Sequence, residues 1–185
     1  MKETNNSQDT TYLFRTNSRI AGTYIPAILS FFILVVIDQV TKYLVDHNME
    51  LNSSIPVVKD IFEIHYIRNP GAAWGILANR QMWFYICTTF FLIIGWRCYI
   101  RCVKCNRFRA FRILLVFILS GAMGNLIDRL RFRYVIDFLY FKLIDFPVFN
   151  IADCYVTVGC FLLILVCLFR YKETEMDALF SILLH

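Results

Sequence analysis

Two aspartates are the residues of this chain best suited to chemistry. Asp137 lies in the segment Val-Ile-Asp-Phe, and Asp153 ends the segment Phe-Asn-Ile-Ala-Asp. Both stand at the edges of apolar runs, where a carboxylate is costly and usually marks a functional site. Two carboxylates that meet can share one proton and activate water, as they do in aspartic proteases. The pair therefore predicts a membrane enzyme with hydrolytic chemistry.

Each aspartate also has a local structural interpretation. Asn150 fits the N-cap of a helix, which would place Asp153 at the third helical position, where a carboxylate binds free N–H groups. Capping and catalysis are compatible, because an acid at a helix N-terminus stays ionised and can serve as the base. Asp137 has no evident cap, and its apolar and aromatic neighbours should raise its pKa. Pro147 lies between the two acids, so they must converge from separate elements.

The composition indicates a membrane protein. The chain has 185 residues, of which 58% are hydrophobic and 18% charged, whereas a soluble domain is about half apolar and a quarter charged. The net charge of +5 would suit nucleic acid, but the basic residues are concentrated beside apolar segments, which is typical of membrane topology. We therefore predict membrane lipids as partners and no nucleic acid.

The apolar segments predict four transmembrane helices. Spanning a bilayer takes about 20 helical residues, and the candidate runs are 24–45, 82–100, 113–127 and 154–169. The predicted fold is mainly α, a polytopic membrane protein with one four-helix membrane domain at 24–170. Residues 1–23 and 171–185 are interpreted as cytoplasmic tails, and 173–185 as a short amphipathic helix on the membrane surface.

The distribution of basic residues predicts the orientation. Segment 97–112 contains six Lys or Arg residues and no acid, which places it in the cytoplasm. Loops 46–81 and 129–149 are then extracytoplasmic. Both termini are predicted to be cytoplasmic, and both aspartates to lie near the outer face of the cytoplasmic membrane.

The first extracytoplasmic loop has the alternation of a β-strand. Apolar Phe62, Ile64 and Tyr66 alternate with polar Glu63 and His65. The following Asn-Pro-Gly at 69–71 is typical of a turn. We predict a small extracytoplasmic β platform between helices 1 and 2, resting on the bilayer surface.

Two further pairs predict helix contacts. Asp38 and Lys42 are four residues apart, which favours an ion pair that eases the burial of both charges. Ser120 and Gly124 form a small-xxx-small pair, which lets another helix approach closely.

A polar group stands at the end of the third apolar run. Asn125, Asp128 and Arg129 need partners there, and they could position a peptide backbone or pair with each other.

Cys102 and Cys105 form a single C-x-x-C in the basic segment, which is weak support for zinc without a second pair or a nearby histidine. We therefore predict no metal.

Taken in order, these segments resemble lipoprotein signal peptidase (signal peptidase II), a bacterial membrane aspartyl protease family. The resemblance covers about residues 30–170, and Trp74 stands where Phe is more often expected. The matching blocks are 38–42, 69–75, 121–129, 135–138, and 149–153 followed by Gly159.

The resemblance implies a function and a role for each residue. Asp137 and Asp153 would be the catalytic dyad, without a cofactor, one deprotonating water while the other donates to the scissile carbonyl. The family cleaves prolipoproteins just before a cysteine that carries diacylglycerol. The implied substrate-binding residues are Asn69, Gly71, Asn125, Arg129, Asn150 and Ala152, and the implied structural supports are Asp38, Lys42 and Asp128.

Two alternatives come from other classes of protein. A small proton-coupled transporter would use the acids at 38, 128, 137 and 153 as a relay, and an assembly factor would use the β platform for docking. Transport favours a charge near the middle of a span or broken helices repeated in two halves. The acids of this chain cluster at the ends of the spans, which favours the protease.

Overall fold

The computed structural model describes residues 21–71, 81–103 and 105–184. The helices are α1 (Ala21–Asn48), α2 (Gln81–Cys102), α3 (Arg109–Phe132), α4 (Ile151–Phe169) and α5 (Glu173–Leu184), and the strands are β1 (Ser54–Val58), β2 (Phe62–Asn69) and β3 (Val135–Tyr140). The predicted N-terminal tail, apart from its last three residues, and Trp74 lie outside the described residues.

Helices α1 to α4 form the membrane bundle. Each is long and apolar enough to cross a bilayer, so the prediction of a four-helix membrane protein is confirmed. Helix α3 packs against each of the other three, and the apolar segment of α3 is 56% buried, against 11% to 22% in the other helices. The bundle is therefore organised around α3, and the other helices turn apolar side chains outward toward lipid.

Small residues on α3 allow its neighbours to approach. A side chain at Gly121 would collide with the carbonyl oxygen of Ala152 on α4, and one at Gly124 with the carboxylate of Asp38 on α1. The predicted close contact at the small-xxx-small pair is confirmed. Both contacts lie at the end of the bundle that carries the site, so they fix the spacing of the site's helices.

The sheet has three antiparallel strands in the order β1-β2-β3. The predicted platform comprised only the loop between helices 1 and 2, whereas β3 comes from the connection between α3 and α4. Residues 135–138 are all buried, so β3 is covered on both faces and lacks the alternation that reveals a half-exposed strand. Pairing of Ile67 with Asp137 brings the end of β2 beside β3.

Polar contacts attach the sheet to the bundle. The hydroxyl of Tyr66 donates to the carboxylate of Asp46 near the end of α1, and Arg68 donates to both partners. Arg68 also lies over the ring of Tyr134, 5.0 Å from its centroid. Strand β2 is thus held against α1 and against the segment that leads into β3.

The C-terminal tail forms the predicted helix, but one face of it serves the bundle. Leu179 is buried, and α5 packs against α2. The guanidinium of Arg107 donates to Glu175 at 2.7 Å, and this bond lowers the pKa of the Glu175 carboxyl. The tail therefore closes the end of the bundle opposite the aspartates.

The basic segment at that end is more compact than the sequence suggests. Helix α2 continues through Cys102, and α3 begins at Arg109 after a 3-10 turn at Asn106–Phe108. Arg112 is buried and donates to the carbonyls of Cys102 and Val103, which satisfies the end of α2. Cys102 and Cys105 are buried as well.

Candidate active site

Asp137 lies in the middle of β3 and is 2% exposed. Its two carboxylate oxygens accept from Asn150 Nδ2 at 2.6 Å and from Asn69 Nδ2 at 2.8 Å. Burial, and secondarily the nearby charge of Asp153, raises the pKa of Asp137 to about 7, against the lowering effect of the two amide bonds. The prediction of a raised pKa is confirmed, and the group holds its proton below neutral pH.

Asp153 is the third residue of α4, in a capping box with Asn150. The backbone N–H of Asp153 donates to Asn150 Oδ1 at 3.0 Å, and Asp153 Oδ2 accepts from the Asn150 backbone N–H at 3.2 Å. The other oxygen, Oδ1, accepts from Asn125 Nδ2 at 2.7 Å. The capping interpretation is confirmed, and it places the Asp153 carboxylate among hydrogen-bond donors at the N-terminus of a helix.

The side chain of Asn150 connects the two acids. Its Nδ2 donates to Asp137, and also to Asn125 Oδ1 at 3.1 Å, while its Oδ1 caps the backbone of Asp153. Asn150 is fully buried. The aspartates therefore converge from β3 and α4, separate elements as expected, through one amide group.

A buried charge cluster lies next to the dyad. Lys42 Nζ is 2.9 Å from Asp38 Oδ2 and 2.9 Å from Asp128 Oδ2, and it donates to Asn125 Oδ1 at 2.9 Å. The predicted i, i+4 ion pair is confirmed and extends to a second helix. Asp38 Oδ1 also accepts from the backbone N–H of Ala152 at 2.9 Å, so the cluster joins α1, α3 and the start of α4.

Sequence reasoning missed the contribution of Gln39. Its Nε2 donates to Asp128 Oδ1 at 2.9 Å and to the Gly124 carbonyl at 3.2 Å, which helps to satisfy a carboxylate that is 1% exposed. The sequence did contain a signal for this role, because Gln39 is an amide within an apolar span and directly follows Asp38.

Arg129 is held at the edge of the site. Its Nη2 donates to the Gly71 carbonyl at 3.2 Å, and its guanidinium lies 4.4 Å from the centroid of the Phe84 ring. The Tyr85 hydroxyl donates to the Arg129 carbonyl at 2.8 Å. Within the described part of the chain, Arg129 Nε is a buried donor without a partner. Asp128 and Arg129 do not pair with each other, because Asp128 forms its ion pair with Lys42.

A cavity of about 450 Å³ opens onto both carboxylates. Its polar wall includes four of the predicted substrate-binding residues, whereas Asn150 and Ala152 are fully buried behind it. The sequence analysis did not predict the apolar wall, which is formed by residues 146–149 and by positions 154, 157 and 158. Positions 154, 157 and 158 could have been found from their helical spacing relative to Asp153. The described lining residues are Asn69, Gly71, Asn125, Arg129, Val135, Asp137, Phe146, Pro147, Val148, Phe149, Asp153, Cys154, Thr157 and Val158.

The site's donors are amides and a guanidinium, and its titratable groups are carboxylates. Among the described residues, no three His, Cys, Asp or Glu side chains are grouped so that they could hold a metal ion. A buried acid that holds its proton can donate to a carbonyl, while a second carboxyl group beside it takes a proton from water.

Comparisons with known sequences agree with this chemistry. Residues 30–169 match the family described as Signal peptidase (SPase) II. The chain is 44% identical to the lipoprotein signal peptidase of Brevibacillus brevis over 133 residues, which cover 72% of this chain and 88% of the relative. It is 38% identical to the lipoprotein signal peptidase of Streptococcus pyogenes serotype M1 over 146 residues, 79% of this chain and 94% of the relative.

Solved structures show the same fold. A bacterial membrane enzyme determined by the in meso method at 2.3 Å resolution matches with a TM-score of 0.70 and 34% identity, over 80% of this chain and 92% of that chain. A second bacterial membrane enzyme, determined at 1.9 Å resolution, matches with a TM-score of 0.68 and 32% identity, over 86% of this chain and 99% of that chain. This chain is a multi-pass bacterial membrane protease that belongs to the signal peptidase II family.

Proposed function

We propose that this protein removes the signal peptide from diacylglyceryl-modified prolipoproteins, with Asp137 and Asp153 as the catalytic pair. The convergence of these two carboxylates on one cavity at the end of a membrane bundle carries the proposal. Membership of the family supports the substrate class. A substrate whose lipid and apolar peptide both lie in the bilayer would meet the pair at the membrane edge.

The environments of the two acids favour different roles. Asp153, at the N-terminus of α4, would take a proton from water. Asp137, with its raised pKa, would give its proton to the oxygen of the scissile carbonyl as the water oxygen bonds to the carbon. The tetrahedral diol would collapse when the proton on Asp153 passes to the leaving nitrogen and Asp137 regains its own.

The surrounding residues would position the pair and the substrate. Asn69, Asn125 and Asn150 already bond the carboxylates, so we assign them to orienting the acids. The spare donor of Arg129 and the nearby Gly71 would hold the peptide backbone. The apolar wall would accept apolar parts of the substrate.

The supporting residues would act at a distance from the substrate. Asp38, Lys42 and Asp128 fix α1 against α3, and the backbone of Ala152 ties the start of α4 to Asp38. Ala152 would thus set the position of Asp153 from behind the cavity.

The transporter alternative is not favoured. The family and the relatives are peptidases, and the acids at 38 and 128 share a buried lysine.

Cleavage should depend on the lipid of the substrate. Purified protein in lipid vesicles, incubated with a prolipoprotein carrying diacylglycerol on its cysteine, is expected to yield the shortened product on a gel. The same prolipoprotein without the lipid is the control and should remain intact. Equal processing of both forms would contradict the proposed substrate class.

We expect activity to fall as the pH rises above about 7. The pKa of Asp137 is raised to about 7, so the protonated form that donates to the carbonyl predominates below that pH and is lost above it. The value of kcat/KM should decrease about tenfold per pH unit on the alkaline side, and the apparent pKa would belong to the pair. A profile that stays flat from pH 6 to 9 would remove Asp137 as the acid.

Asn69→Ala should lower kcat/KM by about 5- to 150-fold, the equivalent of about 1–3 kcal/mol for an unsatisfied buried partner. Because the Asn69 bond lowers the pKa of Asp137, its loss should also move the alkaline limb of the pH profile upward. Asn48→Ala removes an exposed amide bonded to the Leu44 carbonyl and is the control. A lower rate with an unmoved limb would indicate a purely structural role.

Testing the predicted orientation requires a cysteine introduced at an exposed position. Cys102 and Cys105 are buried, so a labelling reagent would not reach them from either side of the membrane. Asn106→Cys places a thiol at an exposed position in the basic segment, and Lys59→Cys places one on the opposite side. In intact spheroplasts, a membrane-impermeant maleimide should label position 59 and should reach position 106 only after the membrane is opened. Labelling in the reverse order would invert the orientation.

A further inference from the structure

A second cavity lies at the other end of the bundle, between the first turns of α1 and α3. It has a volume of about 470 Å³, within the range of ligand pockets. Thr23, Asn106 and Arg109 line it near the helix ends, and Pro26, Val116 and Phe117 line it farther along the helices. We call it the basal cleft.

The basal cleft is positively charged at its polar end. Arg109 is exposed there, at the N-terminus of α3, and neither α1 nor α3 has an acid in its first turn. Arg112 also lines the cleft, and none of its described lining residues is acidic. The arginine side chains at this end attract an anion with oxygen acceptors, such as a phosphate.

The rest of the cleft is apolar and opens to the side of the bundle. Pro26, Ile113 and Phe117 are exposed in the segments that would cross the bilayer. A free anion would use only the polar end, whereas a lipid would use both. The cleft is therefore matched to a molecule with an anionic head and an acyl chain.

We propose that the basal cleft binds an anionic phospholipid, with the phosphate at Arg109 and an acyl chain along Pro26 and Phe117. The lipid would lie between the helices that carry Lys42 and Asp128 at their other ends. Occupancy should therefore stabilise the pairing of α1 with α3, and with it the dyad's support.

The test uses the purified full chain in detergent with added phosphatidylglycerol or phosphatidylcholine. Bound lipid is counted by native mass spectrometry. The wild type should retain phosphatidylglycerol preferentially, and Arg109→Gln should retain about fivefold less, the effect of one basic contact with an anionic head group. Arg170→Gln, which removes an exposed arginine at the same end but outside the cleft, should retain as much as the wild type.

A second variant tests the apolar half. Ser30→Trp inserts a large side chain into the cleft wall without changing charge, and it should also reduce retention of phosphatidylglycerol. Normal retention by Ser30→Trp, with displacement by inorganic phosphate, would mean a site for free anions and would overturn the proposal. Equal retention by the wild type and Arg109→Gln would overturn it too.

Discussion

Replacing Asp137 or Asp153 by asparagine is expected to lower kcat/KM by on the order of 10⁴-fold, the upper range for general acid–base catalysis. Asparagine keeps the shape of the side chain but can neither take a proton from water nor hold one for the carbonyl. Both groups act on the same bond, so either loss should stop the reaction. The measurement is cleavage of the lipid-modified substrate by purified variants in vesicles.

The control for this loss is Asp60→Asn. Asp60 is 74% exposed and has a positive φ of 58°, which asparagine tolerates. The activity of the Asp60→Asn variant should match that of the wild type. Unfolding of the dyad variants would be detected as a loss of the cooperative thermal transition. Near-wild-type turnover by either dyad variant, with that transition intact, would show that the reaction does not need both acids.

Lys42→Met is expected to cause the largest loss of stability, on the order of 3–5 kcal/mol. Lys42 is 2% exposed and pairs with both Asp38 and Asp128, which are 0% and 1% exposed. Methionine fills a similar volume but leaves two buried carboxylates without a cation. Thermal unfolding of the purified protein in detergent measures the effect as a lower Tm.

A matched lysine provides the control. Lys142 also makes a 2.8 Å ion pair, with Glu63, but its side chain is 46% exposed, so solvent can replace the contact and Lys142→Met should barely change Tm. Adding Asp38→Asn and Asp128→Asn to Lys42→Met should recover part of the loss, since the buried charges are removed. Equal Tm values for the two lysine variants would mean that the buried cluster is not what holds α1 to α3.

The local sequence predicts the features that depend on neighbouring residues. The capping box follows from Asn150 three residues before Asp153, and the ion pair follows from the helical spacing of Asp38 and Lys42. The four spans follow from apolar length alone. In each case the partners are close in sequence or the signal is a continuous run.

Features that depend on contacts distant in sequence could not be predicted in this way. Strand β3 has no alternation because both of its faces are buried, so neither its pairing with β2 nor the bond from Asn69 to Asp137 was evident. The buried position of Ala152 depends on how closely α4 approaches Gly121. Similarly, the burial of Leu179 on α5 depends on the packing of that helix against α2.

The intact mass of the cleavage product tests most directly whether this site hydrolyses a prolipoprotein. The purified wild type, acting in vesicles on a diacylglyceryl-modified substrate, should release a product with the mass of the chain that begins at the lipidated cysteine. EDTA should not change the yield of this product. The same spectrum from Asp153→Asn should show only the uncut substrate. A product that begins at another residue, or one that Asp153→Asn also forms, would contradict cleavage by the aspartate pair.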